Sequence, residues 1–388
     1  MLAMFFRLGL TSFGGPLAHL GYFHEEFVNR RKCLSEHDYA DLVALCQFLP
    51  GPASSQVGIG IGVSQAGIPG ALAAWTGFTL PSAAALILFA YGVTAWRGAV
   101  TGVGWLHGLK VVAVAVVALA IWGMAKTMCP DRPRGTVAIL AAVLMLSWPG
   151  SWGQIVVILL GGLFGLLFLK TDTISDRTTL QIPIGRGIAV FSIILFGILL
   201  IGIPVLASLV SNHSIALIDR FYRTGSLVFG GGHVVLPLLQ TATVSPGWVS
   251  KDLFLAGYGA AQAVPGPLFT FAAYLGAVMQ PGPSGWLGGL ICLTAIYLPS
   301  FLLILGILPF WEKLRRVTAV RSALMGVNAA VVGLLLAVFY DTVWTSGILS
   351  SKDFILGLIA FGLLSLWKVP PWLVVVATAL GSAALAAI

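Results

Sequence analysis

The chain has 388 residues, of which 58% are hydrophobic and only 9% are charged. Soluble domains carry about 25% charged residues, so this composition excludes a soluble protein and predicts an all-α, polytopic membrane protein. The net charge of +8 comes from basic residues scattered singly or in short loop clusters. That pattern is typical of membrane topology signals and lipid contact, not of nucleic-acid binding.

Twelve apolar segments and one linking segment follow one another along the chain. The first half (1–170) contains segments near 2–20, 40–65, 70–95, 106–128, 136–148 and 153–169. A connector (171–213) contains a polar loop and one apolar run, 187–210. The second half (214–388) contains segments near 216–238, 253–279, 285–310, 322–345, 353–367 and 371–387. Counting each as one crossing predicts about 13 transmembrane segments. If the first segment of each half is instead re-entrant, the count becomes about 11 and the halves are no longer predicted to be inverted.

The two halves carry the same sequence blocks in the same order. Residues 6–15 match 222–231 at half of their positions, and 35–52 match 250–267. The blocks 80–82 and 298–300 also match. Such repeats predict two homologous six-segment halves. An even number of crossings in each half, plus the one linking span, would relate the halves as inverted repeats.

A Pro-Gly-Pro triplet occurs once in each half, at 50–52 and again at 265–267. Proline removes a backbone donor and clashes with the preceding turn, so each triplet predicts a helix broken in mid-membrane. The alternative is a kink that serves packing only. After each break the first free N–H groups, of Ala53–Ser55 and Leu268–Thr270, would attract an oxyanion.

Arg7 and Arg223 occupy matched positions, each followed by a glycine-rich turn. A charged side chain in an apolar segment costs about 3 kcal/mol or more and normally faces a polar cavity or a partner. Guanidinium groups bind tetrahedral oxyanions through paired donors. Snorkelling to the membrane interface is the alternative interpretation for Arg7.

Four residues beyond these turns are candidates for handling protons, because histidine titrates near neutral pH and a desolvated carboxyl can be shifted towards it. They are His19, Glu25, Glu26 and His233. The alternative for the carboxylates is a solvated loop position. Lys110 is a secondary candidate for attracting an anion, or a boundary residue. No motif indicates an enzyme, a metal site, a cofactor or ATP hydrolysis.

Taken together, these motifs resemble those of the chromate ion transporter family, in its long form with two homologous halves. The resemblance is densest in five blocks: 5–31, 45–56, 77–82, 229–237 and 262–267. It implies a multi-pass protein of a prokaryotic plasma membrane that exports chromate, works as a proton-gradient-driven antiporter and confers chromate resistance. Sulfate is implied as an analogue or competitor. Cys33 and His24 depart from the family pattern, where Trp and Arg are usual.

The mechanism we expect places the anion between the halves, with one half rocking against the other. The predicted substrate-binding residues are Arg7, Gly14, Gly15, Gln47, Pro50, Gly51, Pro52, Ala53, Ser54, Ser55, Arg223, Gly230, Gly231, Gln262, Pro265, Gly266, Pro267 and Thr270. An uptake or exchange carrier for sulfate or another tetrahedral oxyanion would use the same cage. A membrane enzyme or assembly subunit would need a nucleophile–base set or paired carboxylates within the spans. The sequence is compatible with a homodimer.

Overall fold

The computed structural model describes residues 1–13, 15–95, 104–148, 151–169, 184–210, 212–229, 234–311, 314 and 317–386. These residues form helices joined by turns, as the all-α prediction requires. The first half contains α1 (Leu2–Thr11), α2 (Gly15–His24), α3 (Glu36–Phe48), α4 (Ala53–Ala95), α5 (Gly104–Met128), α6 (Arg132–Ser147) and α7 (Ser151–Phe168). The connector contributes α8 (Arg186–Leu209). The second half contains α9 (His213–Leu227), α10 (Val235–Thr243), α11 (Lys251–Ala263), α12 (Phe271–Val278), α13 (Gly285–Ile307), α14 (Thr318–Val338), α15 (Ser351–Ser365) and α16 (Pro371–Ala386).

The first two helices of each half fold back on one another. In the first half, the ring of Phe5 on α1 lies 5.5 Å from that of Phe23 on α2 and 5.2 Å from that of Phe27. In the second half, Arg220 on α9 donates from Nη1 to the carbonyl of Ala242 on α10 over 2.9 Å. At 1.5 Å per residue, collinear helices would hold these residues more than about 20 Å apart. The pairs α1–α2 and α9–α10 are therefore hairpins.

Each Pro-Gly-Pro triplet reverses the chain instead of interrupting a straight span. Before the first triplet, α3 is capped by Ser35, whose Oγ accepts the Asp38 N–H, and after it Gly60 packs against the Leu42 side chain. Around the second triplet, the Tyr274 hydroxyl donates to the Leu253 carbonyl over 2.9 Å. The helices are therefore broken at both triplets, as predicted. Segments 40–65 and 253–279 differ from the prediction in that the chain folds back at the break and forms a hairpin instead of continuing as one span. We call residues 50–56 the first tip and residues 265–271 the second tip.

A second sharp reversal follows each Pro-Gly-Pro hairpin. Within α4 the helical conformation is lost at Ala66 and Gly67, and Gly62 packs against the backbone of Gly70 just beyond. In the second half Gly276 and Gly288 make the same backbone contact between α12 and α13. Only residues without a Cβ allow this approach. Each half therefore turns from its short tip helix into a long helix, 68–95 or α13.

The remaining helices of the two halves exchange partners. Helix α5 of the first half packs against α15 and α16 of the second, and α14 of the second half packs against α6 and α7 of the first. Gly108 on α5 lies against the backbone of Ala379, and Gly326 on α14 lies against that of Gly161. Gly108 and Gly326 are matched positions of the repeat. The halves are consequently interlocked.

Five helices among the described residues are long and apolar enough to cross a membrane: Ala53–Ala95, Gly104–Met128, Arg186–Leu209, Gly285–Phe310 and Thr318–Gly347. Four of the 13 expected segments are hairpins, which return to the side where they began. Nine helices of the described chain lie outside these hairpins, four in each half plus α8, and the number of them that cross the membrane stays a prediction. An even number of crossings in each half is what the inverted relation of the halves requires, and that relation stays a prediction. The domain boundaries also stay a prediction.

Candidate functional site

Each tip is held by the first hairpin of the opposite half. The Gly51 N–H donates to the carbonyl of Val228, at the end of α9, over 2.6 Å. The Gly266 N–H donates to the carbonyl of Ser12, at the end of α1, over 3.0 Å. Ser12 and Val228 are matched positions of the repeat, as are Gly51 and Gly266. The two hydrogen bonds are therefore equivalent, and they bring both tips to the interface between the halves.

Both tip glycines require the absence of a side chain. Gly51 has φ of +126° and Gly266 has φ of +102°, which L-residues rarely adopt. A Cβ at Gly51 would lie 2.7 Å from Ser300 Oγ, and a Cβ at Gly266 would lie 2.9 Å from Ser82 Oγ. Ser82 and Ser300 end the repeated Leu-Pro-Ser block. That block was visible in the sequence, but no role was predicted for it.

The first tip presents the start of a helix to the interface. The Gln56 N–H donates to the Pro52 carbonyl over 2.9 Å, which is the first bond of α4. The N–H groups of Ala53, Ser54 and Ser55 consequently have no intrahelical partner, and such groups attract anions. Ser54 and Ser55 are each 3% exposed. This is the arrangement expected of a binding site for an oxyanion.

Tyr297 of α13 lies between the two tips. Its hydroxyl is 3.5 Å from Ser55 Oγ of the first tip, and its ring centroid is 5.8 Å from that of Phe269 in the second tip. Tyr297 is fully buried. The two helix starts therefore border a common residue, which nothing in the sequence singled out.

His19 is the proton-handling candidate that reaches the first tip. Its ring is 1% exposed, with Nε2 3.2 Å from the Ser12 carbonyl and Nδ1 3.3 Å from Ser54 Oγ. A carbonyl can only accept, so Nε2 carries the proton and Nδ1 of the neutral ring accepts from the Ser54 hydroxyl. The Ser12 carbonyl also receives the Gly266 N–H. One histidine thus contacts the first tip and the carbonyl that holds the second.

Gln56, which was not predicted as a site residue, clamps the first tip. Its Nε2 donates to the Pro50 carbonyl over 2.7 Å and lies 3.5 Å from Ser300 Oγ. The residue is fully buried. Its Oε1 has no hydrogen-bond partner among the residues that the structure describes. Phe271 occupies the matched position of the second half, so the repeat does not single out Gln56.

The second tip is apolar where the first is polar. Residues Leu268–Thr270 form a 3₁₀ turn before α12, and Leu268, Phe269 and Phe271 are buried. The Thr270 hydroxyl donates back to the Pro267 carbonyl over 2.7 Å. The two ends that were predicted to be equivalent therefore differ: the first carries the polar side chains of Ser54, Ser55 and Gln56, and the second is largely apolar.

Two predicted pairs of equivalent residues differ between the halves. Arg7 is exposed on α1, whereas Arg223 on α9 donates from Nη2 to Asp219 Oδ1 over 2.6 Å. Gln47 is exposed on α3, whereas Gln262 is half-buried with its Nε2 unpartnered among the described residues. Arg7 and Gln47 are thus exposed whereas Arg223 has a carboxylate partner, and the predicted role of all three in substrate binding stays a prediction.

Lys110 and the carboxylates of the first half are also engaged elsewhere. Lys110 Nζ pairs with Asp252 Oδ1 at 2.7 Å, and Glu25 accepts from the Asn29 amide at 2.7 Å. Glu26 pairs with two arginines, at 2.7 Å from Arg31 and 3.0 Å from Arg30. The Arg31 guanidinium, assisted by that of Arg30, holds the pKa of Glu26 below its usual range. Glu26 is therefore ionised at neutral pH, which speaks against a role in proton transfer.

The glycine-rich turns are only partly described. Gly15 begins α2 with φ of +77° and has open space where a side chain would extend. Gly14, Gly230, Gly231 and His233 lie outside the described residues. Their predicted contact with substrate stays a prediction.

Comparison with known proteins places the chain in a family. The profile of the chromate transporter family matches residues 1–166 and 215–383. A chromate transport protein of Pseudomonas aeruginosa is 27% identical over 88% of this chain and 80% of its own length. A probable chromate transport protein of Synechococcus elongatus is 25% identical over 97% of this chain and 93% of its own length. No solved structure matches the chain. The chain belongs to the chromate transporter family.

Proposed function

We propose that this member of the chromate transporter family carries chromate out of the cell across the plasma membrane of a prokaryote, energised by the proton-motive force. The observation that carries the proposal is that each tip is bound to the opposite half, through the Gly51–Val228 and Gly266–Ser12 hydrogen bonds. It sets the uncapped amides of Ala53–Ser55 at the interface between the halves. A helix start of this kind stabilises an oxyanion by its dipole and its free donors.

The same geometry supports a route for alternating access. Among the described residues, each tip glycine donates one backbone hydrogen bond to the other half, and the first tip also contacts Tyr297 and Ser300 there. Movement of one half against the other would break these contacts and release the tip. The first helix of the α1–α2 hairpin, α1, has 10 residues, and α3, which leads to the first tip, has 13, so they are about 15–20 Å long. Hairpins of this length reach about half-way through a hydrocarbon core of about 30 Å. A site at their ends would be near the midplane, as in other secondary transporters.

Proton coupling is assigned to the first tip. Of the four candidates, Glu25 and Glu26 make local contacts at the protein surface, and His233 is outside the described residues. His19 contacts both Ser54 and the Ser12 carbonyl. Protonation there would add a positive charge beside the helix start, which an incoming anion would offset.

Transport in reconstituted vesicles tests the proposal. We expect saturable flux of labelled chromate, measured with proton gradients imposed in each direction, and a marked loss of flux in the double variant Ser54→Ala/Ser55→Ala. A variant far from the tips, Thr94→Ala, which removes only a hydroxyl bonded to its own helix, serves as control. Absence of saturable chromate flux above that of empty vesicles would falsify the proposal.

An uptake or exchange carrier for sulfate is the second candidate, since the same helix start suits either dianion. Labelled sulfate in the same vesicles separates the two. Preferential inward movement of sulfate, with chromate acting only as a competitor, would favour the carrier over the exporter. The oligomeric state, including a homodimer, is a separate question that cross-linking in the membrane addresses.

A further inference from the structure

The first tip contains a buried hydrogen-bond acceptor without a donor. Gln56 is fully buried, and its Nε2 is committed to the Pro50 carbonyl at 2.7 Å. Because a carbonyl only accepts, this contact fixes which end of the carboxamide is nitrogen. The other end, Oε1, has no partner among the described residues. A buried acceptor left in this state is costly, so a donor from outside the chain would be favourable here.

This acceptor belongs to the helix start proposed to hold the anion. A Cβ placed on Gly51 would lie 3.2 Å from Cδ of Gln56, so the carboxamide packs against the backbone of the tip glycine. The amides of Ala53–Ser55 and the hydroxyl of Ser55 are donors. The tip thus offers several donors together with one acceptor. A fully ionised oxyanion has only acceptors, and one of its oxygens would face Gln56 Oε1 without a proton between them.

We propose that the first tip binds a monoprotonated tetrahedral oxyanion, hydrogen chromate in the case of chromate, with Gln56 Oε1 accepting the hydroxyl of the anion. The proposal rests on the proposed function, since it specifies the form of the anion held at the same site. The remaining oxygens accept from the amides of Ala53–Ser55 and from the Ser55 hydroxyl. Chromate gains its proton near neutral pH, whereas sulfate and selenate do not. A site with an acceptor therefore discriminates against sulfate, which leaves that acceptor unpaired.

This form of substrate changes the direction in which the proton travels. Hydrogen chromate takes its proton along and carries one negative charge, so an inside-negative membrane potential drives it outwards. The antiport implied by the family resemblance would move a proton the opposite way. Two titratable side chains contact residues of the first tip, His19 at Ser54 and Tyr297 at Ser55. Of the charged groups on the adjoining helices, Arg7 is exposed on α1 and Asp219 and Arg223 pair with each other on α9.

A panel of anions tests the proposal on the unmodified protein. Flux of labelled chromate into vesicles would be measured at mildly acid and mildly alkaline pH, in competition with phosphate, sulfate or selenate. We expect flux at fixed total chromate to rise as the pH falls. Phosphate keeps a proton at neutral pH, and sulfate and selenate should need about tenfold higher concentrations than phosphate to compete. Equal competition by all three, with pH-independent flux, would overturn the proposal but leave chromate transport intact.

Two variants add an independent test. Gln56→Met keeps the length of the side chain but lacks the acceptor, and it should lower the preference for chromate over selenate about tenfold. Gln65→Met is the matched control in the same helix, because Gln65 is exposed and its amide bonds the Cys33 carbonyl. If Gln56→Met does not fold, as judged by size-exclusion chromatography, the anion panel decides. Without a pH gradient across the membrane, His19→Gln should keep the rise of flux at lower pH, because that rise reports protonation of the anion. Only the response to an imposed proton gradient, which the proposed function attributes to His19, should be lost. Loss of the rise itself would overturn the proposal.

Discussion

The first tip, Pro50 to Gln56, and the second tip, Pro265 to Phe271, share a backbone conformation but not their side chains. In each, a glycine of positive φ donates its N–H to the first hairpin of the opposite half. Ser54, Ser55 and Gln56 follow the first glycine, whereas Phe269, Thr270 and Phe271 follow the second. The repeated backbone places both tips at the interface between the halves. The side chains make the first tip polar and the second largely apolar, and the proposed function uses only the polar one to bind the anion.

The largest effect is expected from giving the tip glycines a side chain. In Gly51→Ala the new methyl meets the Gln56 amide and Ser300 Oγ, and in Gly266→Ala it meets Ser82 Oγ. A positive φ adds strain of about 1–3 kcal/mol in each variant. We expect Gly51→Ala to abolish saturable chromate flux and Gly266→Ala to retain part of it, because only the first displaces Gln56.

Gly92→Ala is the control for these variants, since a Cβ at Gly92 would meet nothing within 4 Å and no positive φ occurs there. Its flux should equal that of the unmodified protein, and its thermal unfolding temperature should be unchanged or slightly higher. Full flux in Gly51→Ala would show that the observed tip conformation is not required for transport.

The two matched arginines offer a second contrast. Arg223 pairs with Asp219, which is 9% exposed, whereas Ala3 occupies the matching position beside Arg7. Arg223→Gln leaves Asp219 without its partner and should cost about 2 kcal/mol of stability. Arg7→Gln should cost less than about 0.5 kcal/mol.

Thermal unfolding in detergent measures this difference, and the double variant Asp219→Asn/Arg223→Gln should recover most of the lost stability. A large loss of chromate flux in Arg7→Gln at unchanged stability would return Arg7 to the binding site despite its exposed position. Equal stability of Arg223→Gln and the unmodified protein would instead mean that the ion pair contributes little.

The two hydroxyls that follow the tip glycines at matched positions give the third contrast. Ser55 lies beside Tyr297, whereas the Thr270 hydroxyl is committed to the Pro267 carbonyl. We expect Ser55→Ala to raise the KM for chromate about tenfold, equivalent to about 1.4 kcal/mol. Thr270→Ala should leave KM unchanged and lower the unfolding temperature slightly, because it removes a local side-chain contact. Equal increases in KM for Ser55→Ala and Thr270→Ala would instead support a binding site built equally from both tips.

The sequence predicted where the chain breaks, but not what the break does. Proline and glycine act on their own backbone, so the triplets at 50–52 and 265–267 could be identified as interruptions. Whether the flanking helices continue or fold back depends on contacts such as Leu42 with Gly60. Such contacts join residues that a local pattern does not relate, and the expected span count therefore included four hairpins.

The repeat does not single out every residue at the tips. It favours residues present in both halves, and so Arg7 and Arg223 were paired although their surroundings differ. Gln56, opposite Phe271, received no role. His19 was predicted from its chemistry alone, and its contacts with Ser12 and Ser54 depend on the fold of the first hairpin. The polar side chains that distinguish the first tip from the second therefore lie at positions where the two halves differ.

The smallest effect concerns the first hairpin, where Glu26 pairs with Arg30 and Arg31 while the exposed Glu25 bonds only Asn29. The arginines lower the pKa of Glu26 in the folded protein, so its stabilising contribution is complete above the ordinary pKa of glutamate. It is lost as the pH falls through the lowered value. Glu26→Gln should therefore lower the free energy of unfolding at neutral pH by at most about 1 kcal/mol, which a lower unfolding temperature would show. In strong acid its unfolding temperature should equal that of the unmodified protein.

Glu25→Gln is the control for this variant, with a smaller change expected at every pH. Because Glu26 stays ionised throughout the neutral range, Glu26→Gln should also leave the pH dependence of chromate flux unaltered. An altered pH profile at intact stability would return Glu26 to the proton pathway. It would also mean that the surface end of the first hairpin, as well as its buried end at His19, takes part in the transport cycle.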